Sequence, residues 1–399
     1  MASSLAAAPQ SIADARGLLL AIEDEGRKLS LIDSESLAAL HRLEPPLPLQ
    51  GEPQFTRDGS FAFLAAADGW ILKYDLSNLT LAARVQSGLQ VRGLAVSGDG
   101  RWVLAGHASP ARLVLFDTDL KLVRTYPAAS QDGSTRSAVY AVHTAAARKC
   151  FVVSFDTLPQ LWEISYDPAA EPIFEGLVHD YRMGEAIATR GFLGVRRTPL
   201  DRPFAIAAFD ESQRHAIGSP REPGGARDSA APPPLQVVNL DVRRAIAQIA
   251  SITASSGAQS AWFTHRGLPL LAIAGPPEPG SVRFVEPGTW RVMRTARAGD
   301  GDLFIRTHAR TPHLWTASAT GGHDGVTLTL IDKETLEAQA VLRVAGRWPA
   351  RVAFTHGGSR AIVGCGGQPG LLAVYDARTG EEIRRAPLTA PAAIYAVLG

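Results

Sequence analysis

From residue 17 onward the chain alternates short apolar segments with turn-forming residues, a spacing that favours β-strands throughout. The clearest unit is FTRDGSFAFLAAADGWILKYDLSNLTLAARV, at residues 55–85. Its Asp58-Gly59 pair suits a tight hairpin turn, and the alternating residues that follow predict a half-buried strand. After Asp68-Gly69, the segment WILKYDL predicts the next strand. The unit therefore predicts a small antiparallel sheet that cannot bury both of its faces alone.

The same unit recurs along the chain. Further copies begin at residues 94–107, 142–155, 206–219, 261–274, 305–318 and 353–365, and an eighth opens the chain at residues 17–43. Eight such units predict an all-β fold, an eight-bladed β-propeller. We expect residues 1–16 to form an N-terminal tail and residues 17–399 to form a single propeller domain. The final AAIYAVLG is expected to add a strand to the first blade and close the ring.

The proline-rich segment SPREPGGARDSAAPPP, at residues 219–234, interrupts the fifth unit. It predicts a surface loop between two strands of that blade. We assign it no chemistry.

Composition excludes several classes of protein. Apolar residues make up 46% of the 399 residues and the net charge is +1, so a nucleic-acid binder with a strong basic field is not expected. No apolar run approaches the roughly 20 residues of a membrane span. Cys150 and Cys365 belong to no CxxC or CxxCH motif, which predicts two buried structural thiols and no covalent heme. No signal peptide is visible in MASSLAAAPQ, although its small residues could be the remnant of a leader.

One segment, LVHDYRMGEAIATRGFLGVRR at residues 177–197, is unusually rich in polar chemistry. We expect it to join the fourth and fifth blades and to reach over the axial mouth, where propellers bind ligands. His179 could ligate a metal or move a proton, and Asp180 and Glu185 could orient it or act as acid and base. Its remaining candidate residues are Tyr181, Arg182, Arg196 and Arg197, the arginines being suited to acidic groups. The alternative is a polar crossover loop that hydrogen-bonds to itself.

Three further candidates lie at predicted blade junctions. Arg92 precedes the first strand of the third blade and faces either the axis or the rim, whereas Arg306 and His308 occupy a comparable place in the seventh blade. His143 has no partner at ligand spacing, so we expect it to be solvated or hydrogen-bonded.

Several segments carry a family resemblance: DGWILKYDLSNLTL, SGLQVRGLAVSGDGRWVLAGH, LPQLWEISYDP, VHDYRMGE, QVVNLDVRRAIA and LIDKETLEA. They resemble the cytochrome cd1 nitrite reductase family and, more narrowly, its heme d1 biosynthesis branch of the NirF type. The resemblance implies an eight-bladed propeller that binds heme d1 or dihydro-heme d1 non-covalently in its axial cavity. It also implies a late step of heme d1 assembly, with a possible oxidoreductase or dehydrogenase role, in the periplasm. Arg92 matches a family arginine that faces the tetrapyrrole.

The resemblance also implies partners, namely other proteins of the heme d1 pathway and the nitrite reductase. Because no CxxCH is present, neither the reductase itself nor the heme-carrying dehydrogenase of the pathway is expected. A non-catalytic tetrapyrrole carrier or protein-interaction scaffold remains the alternative.

The chain departs from the family pattern at the expected iron ligands. In LPLQGEPQF, Gln50 stands where the family has a His before Gly-x-Pro, and Ser255 and Ser256 lie where a second His is expected. The candidates to take over as iron ligand are His179, which we favour, and His41. Otherwise iron is bound weakly or metal-centred activity has been lost.

Overall fold

Four-stranded antiparallel sheets make up most of this computed structural model. It describes residues 17–174, 188–222, 233–253, 259–275, 278–319, 325–344, 347–366, 370–388 and 391–397. These residues contain 34 strands, of which 32 form eight four-stranded sheets and two form a separate hairpin. The predicted eight-bladed, all-β propeller is confirmed.

The first four blades are described here from their inner to their outer strand. Blade 1 contains β34 (Pro391–Ala396), β1 (Leu18–Glu23), β2 (Lys28–Asp33) and β3 (Ala39–Leu43). Blade 2 contains β4 (Leu49–Phe55), β5 (Phe61–Ala66), β6 (Trp70–Asp75) and β7 (Thr80–Gln86). Blade 3 contains β8 (Val91–Val96), β9 (Trp102–His107), β10 (Arg112–Asp117) and β11 (Leu122–Pro127). Blade 4 contains β12 (Val139–Ala145), β13 (Cys150–Phe155), β14 (Gln160–Ser165) and β17 (Val195–Pro199).

The other four blades follow in the same order. Blade 5 contains β18 (Phe204–Phe209), β19 (His215–Pro220), β20 (Pro234–Asn239) and β21 (Arg244–Thr253). Blade 6 contains β22 (Ser260–His265), β23 (Leu268–Ala274), β24 (Ser281–Glu286) and β25 (Arg291–Arg297). Blade 7 contains β26 (Leu303–Thr307), β27 (His313–Ala319), β28 (Val326–Asp332) and β29 (Ala338–Val344). Blade 8 contains β30 (Arg347–Phe354), β31 (Arg360–Gly366), β32 (Gly370–Asp376) and β33 (Glu382–Leu388).

The remaining elements are small. The hairpin of β15 (Ile173–Phe174) and β16 (Ala188–Thr189) is inserted in blade 4. Three short 3-10 helices, Asp24–Gly26, Ala67–Gly69 and Ala146–Arg148, connect strands. Among the residues described, no helix has the length and apolarity needed to cross a membrane.

The hydrophobic core lies between blades. The middle strands, such as LLLAIE in β1 and CFVVSF in β13, are buried along their whole length because neighbouring blades cover both of their faces. Outer strands such as β7 are mostly exposed. Between blades 3 and 4, for example, Phe155 and Trp162 pack edge to face at 4.7 Å between ring centroids, within a cluster that also contains Leu104 and Leu113.

Inner strands of successive blades contact one another from β4 through β8, β12, β18, β22, β26 and β30 to β34. They enclose the space that we call the axial channel. The ring closes as predicted, because β34 pairs antiparallel with β1, with Leu20 opposite Tyr395.

The expectation that the polar segment 177–197 joins blades 4 and 5 was wrong. Its last part lies in β17, which pairs with β14 as the outermost strand of blade 4. In the sequence the segment therefore falls between the third and fourth strands of blade 4, and its residues 177–187 lie outside the described part of the chain. The proline-rich segment does lie between two strands of blade 5, β19 and β20. Its residues 223–232 lie outside the described part of the chain, as do residues 1–16.

Ring closure generates a stability prediction. Ile394 of β34 is 3% exposed and packs between blades 8 and 1 with Ile362 and Val374, so Ile394→Ala should cost about 2 to 5 kcal/mol of unfolding free energy. Ile383→Ala is the matched control, because Ile383 is 53% exposed on an outer strand. Chemical denaturation of the two variants would contradict the inferred closure if they lost equal stability.

Candidate functional site

The inner strand of blade 2 bulges next to the axial channel. In β4, Gln50 is opposite Ala65 and Gln54 is opposite Phe63, so three residues face a single residue of β5. Gly51 permits this excursion because its φ is +72°, a left-handed conformation that favours glycine, and a Cβ there would meet nothing within 4 Å. The bulge carries the side chain of Glu52 away from the sheet.

Glu52 reaches a cation two blades away. Its Oε1 accepts a hydrogen bond of 2.9 Å from Nη1 of Arg351, which lies on β30, the inner strand of blade 8. Blade 1 lies between them, so the ion pair connects inner strands that are not neighbours. The side chains are 53% and 28% exposed, so water reaches the pair.

A second guanidinium lies beside this pair. Arg306 of β26 has its guanidinium carbon 5.0 Å from the ring centre of Phe304, and that of Arg351 lies 5.4 Å from the same ring. Among the described residues, Arg306 has no hydrogen bond or ion pair. Desolvation lowers its pKa from the usual value, and the charge of Glu52 partly offsets this effect. A guanidinium remains charged under all physiological conditions, so Arg306 is a cation without its own anion.

Tyr395 completes the group. It lies on β34, with Arg351 above its ring at 5.6 Å. Burial raises the pKa of Tyr395 to about 12, although both arginines act in the opposite direction. The phenol is therefore protonated and able to donate a hydrogen bond.

We call Glu52, Phe304, Arg306, Arg351 and Tyr395 the channel cluster. Its members come from the inner strands of four consecutive blades, 7, 8, 1 and 2. Two arginines face one carboxylate, so the cluster has an excess of one positive charge beside an aromatic ring. Such a group is suited to binding a ligand with an apolar surface and carboxylate substituents.

Three of the predicted residues lie on inner strands. Arg306 belongs to the channel cluster, and Gln50 is exposed at the start of the bulge beside Glu52. Arg92 is exposed near the start of β8, where it is the additional residue of a bulge between Val91 and Gly93. Among the residues described, nothing neutralises Arg92, so it is a further cation of an inner strand.

His308 lines a different space. A cavity of about 1040 Å3 lies beside the last residues of the inner strands of blades 5, 6 and 7, and its lining includes Phe209, Thr264 and Thr307. The ring Nδ1 of His308 accepts a hydrogen bond from the backbone N–H of Arg310 at 3.2 Å, and burial lowers the pKa of the imidazole.

Three further predicted residues, Arg196, Arg197 and His41, lie on outer strands and do not reach the channel. Arg196 and Arg197 lie on the outermost strand of blade 4, where Arg196 donates to the carbonyls of Leu240 and Asp241 and Arg197 lies 4.9 Å from the ring of Trp162. Arg196 therefore connects blade 4 to blade 5, and Arg197 contacts a neighbouring strand of blade 4. These contacts do not support a role of either arginine in ligand binding. His41 is on β3, the outer strand of blade 1, and is remote from the axis for the same reason.

The remaining predicted residues lie outside the described part of the chain: His179, Asp180, Tyr181, Arg182, Glu185, Ser255 and Ser256.

Sequence reasoning missed Glu52, Arg351 and Tyr395. A usable signal was present for Glu52, because Gly-Glu-Pro within a strand indicates a bulge: Gly tolerates positive φ and Pro lacks the N–H that a ladder needs. No local motif marks Arg351 or Tyr395.

The expectation for His143 does not hold for its Nε2 atom. It is half-buried on the inner strand β12, its Nε2 is shielded from water, and that atom has no hydrogen-bond partner among the described residues. Its ring packs edge to face on Phe209, with centroids 5.9 Å apart, and burial lowers its pKa to about 4. The imidazole is therefore neutral at pH 7.

Both cysteines are buried, as predicted, and burial raises the pKa of each thiol to about 12. Within the described ranges, no group of three or more His, Cys, Asp or Glu side chains could hold a metal ion.

Comparison with known proteins identifies relatives across nearly the whole chain. A family model described as the Cytochrome D1 heme domain matches residues 13–175 and 279–399. Dihydro-heme d1 dehydrogenase of Pseudomonas aeruginosa is 31% identical over 398 residues, which cover 99% of this chain and 74% of that protein. Protein NirF of Stutzerimonas stutzeri is 29% identical over 178 residues, covering 43% of this chain and 45% of that protein.

A solved structure, described as dihydro-heme d1 dehydrogenase NirN in complex with DHE, superposes with a TM-score of 0.81 at 30% identity. The superposition covers 99% of this chain and 78% of the chain in the solved structure. The narrower resemblance to the NirF type is therefore not specifically confirmed, since the NirN relative is matched over a longer range.

The neutral imidazoles predict a pH dependence of stability. Burial lowers the pKa of both His107 and His143 to about 4, whereas an unfolded chain protonates each near its usual 6.5. Stability is retained above pH 6.5 and is lost as the pH falls towards 4, by about 2 kcal/mol per imidazole between pH 7 and pH 5. In denaturant titrations, His143→Phe should reduce this slope while keeping the aromatic contact with Phe209. An unchanged slope would show that His143 is already charged or accessible in the folded protein.

Proposed function

The chain belongs to the cytochrome d1 heme domain family, and on that basis we propose that it binds heme d1 or its dihydro precursor non-covalently in the axial channel. The observation that carries this proposal is the unpaired guanidinium of Arg306 beside Phe304 and the Glu52–Arg351 pair. Arg306 is exposed to water, so its positive charge is accessible to the carboxylate of an incoming ligand.

The residues present fit such a ligand. A tetrapyrrole has flat apolar faces and, in this class, carboxylate substituents on its rim. Arg306 and Arg351 would hold carboxylates through two parallel N–H···O bonds each, and the Tyr395 phenol would donate a further hydrogen bond. Phe304 offers an apolar surface, and Arg92 adds positive charge on a neighbouring part of the ring of inner strands. These contacts require no covalent attachment.

When bound, the tetrapyrrole supplies a conjugated ring and an iron centre, which are the redox-active parts of such a site. The described residues bind and orient its rim, and the protonated Tyr395 is a hydrogen-bond donor rather than a base. We propose that the protein acts at a late step of heme d1 assembly, at or near the oxidation of the dihydro form. The similarity to a dihydro-heme d1 dehydrogenase supports this placement.

The iron ligand is part of the proposal. The side chain of Gln50 lies on the inner strand at the position where a His was expected, and an amide oxygen is a poor ligand for heme iron. We propose that His179 provides the ligand. We further propose a periplasmic location, with other heme d1 pathway proteins and the nitrite reductase as partners.

A second candidate function is favoured by the same Gln50. A propeller that holds the tetrapyrrole through Arg306 and Arg351 but supplies no iron ligand would act as a carrier without chemistry of its own.

Titration of the purified protein with heme d1 tests the binding proposal. The Soret band should shift at micromolar protein, and Arg306→Gln should weaken binding by about tenfold to a hundredfold, because a hydrogen-bonded charge contributes about 1.5 to 3 kcal/mol. Arg291→Gln, on the exposed outer strand β25, is the matched control for loss of one positive charge. A Soret band that never shifts in the wild type would reject the proposal.

His179→Ala distinguishes the two candidate functions. If His179 ligates iron, the variant should keep its affinity within about tenfold through the arginines, yet its Soret maximum should move to that of a different iron ligation. An unchanged spectrum, together with full complementation of a deletion strain, would instead support the carrier.

A further inference from the structure

The Glu52–Arg351 pair has features of an anion-binding subsite whose anion is a side chain of the protein itself. Arg351 is the kind of cation that a carboxylate ligand would use, and the protein itself supplies a carboxylate to it at 2.9 Å. The two residues are 299 positions apart in sequence and belong to blades that are not neighbours. Local chain geometry therefore does not force them together.

The backbone around Glu52 is built for this reach. The bulge places three residues opposite one, with Gly51 in a left-handed conformation and open space on its Cβ side. In a regular strand, a residue at this point would be held in the sheet ladder, whereas here its side chain extends to blade 8. Such bulges re-aim side chains beside binding sites.

The exposure of the pair shows that it can be exchanged. Glu52 is 53% and Arg351 is 28% exposed, so the bond forms in contact with water and a dissolved anion can compete for it. An ion pair of this kind contributes little free energy, about 0.2 to 1 kcal/mol, so opening it is a small cost. The adjacent Arg306 has no such internal partner among the described residues.

We propose that Glu52 is an internal counter-ion that occupies the carboxylate subsite of Arg351 until a ligand carboxylate replaces it. This inference rests on the proposed function, since it assumes that the channel takes an acid-rimmed macrocycle. Glu52 then favours, by the small cost of opening the pair, ligands that deliver their own carboxylate to Arg351. A neutral macrocycle would leave Glu52 in place.

The expected effect of removing the charge is a gain in affinity. Glu52→Gln keeps the size of the side chain, removes the competing anion and removes its repulsion of the ligand. Heme d1 should bind about twofold to fivefold tighter than to wild type, and the gain should shrink at high salt because the groups are exposed. Heme d1 whose carboxyl groups are converted to methyl esters should show no gain.

The matched control is Glu337→Gln. Glu337 forms an ion pair with Arg294 on the outer strands, so this variant makes the same charge change and breaks the same type of pair far from the channel. Its affinity for heme d1 should equal that of the wild type. A gain of similar size in Glu337→Gln would show that net charge alone is responsible and would overturn the proposal.

A double-mutant cycle tests the role of Arg351 directly. In an Arg351→Gln background, Glu52→Gln should produce a smaller gain than in the wild-type background, because the subsite for which Glu52 competes is missing and only its repulsion of the ligand is left to remove. Absorbance titrations of the full-length single and double variants, with thermal melts to confirm folding, provide the readout. Weaker or unchanged binding by Glu52→Gln would overturn this inference while leaving the proposed function intact, whereas a wild type that binds no heme d1 would overturn both.

Discussion

Every blade of this protein depends on its neighbours, because a four-stranded sheet with two apolar faces is stable only when both are covered. The middle strands are buried on both sides by adjacent blades, as β1 and β13 show. That requirement closes the ring and aligns the inner strands around one axis. The channel is a consequence of this packing, and its lining is decided by the inner strands, where bulges and polar side chains are tolerated.

The channel cluster consists largely of polar side chains on such inner strands. Blade interiors hold few charges, but the inner strands bring Glu52, Arg306 and Arg351 together from three blades. Rigid strands hold these groups in place, which would lower the ordering cost of binding for the proposed ligand. The outer strands also carry arginines, yet those such as Arg196 are committed to carbonyls of neighbouring elements.

The fold was predictable from the sequence because each repeat carries its own turn signals. At Asp58-Gly59 and Asp68-Gly69 the glycines do adopt positive φ, +70° and +73°, so local chemistry and structure agree. The strand VRRTP of blade 4 was missed because an exposed outer strand needs little apolar alternation, and its arginines were interpreted as ligand-binding. The site was only partly predictable: Arg306 was found through its place in the repeat, but its partners Arg351 and Tyr395 are identifiable only once the ring is closed. Spatial neighbours separated by hundreds of residues leave no pattern in one sequence.

Blade 1 is assembled from both ends of the described chain, and the backbone N–H of Val397 still donates to the carbonyl of Leu18 at 3.1 Å. Tyr395 belongs to β34, the last described strand, and lies between the two blades that Glu52 and Arg351 connect. The channel cluster therefore gains its phenol only when β34 pairs with β1, at a contact between strands that are far apart in the sequence. The same pairing that completes the fold thus also completes the polar lining of the channel.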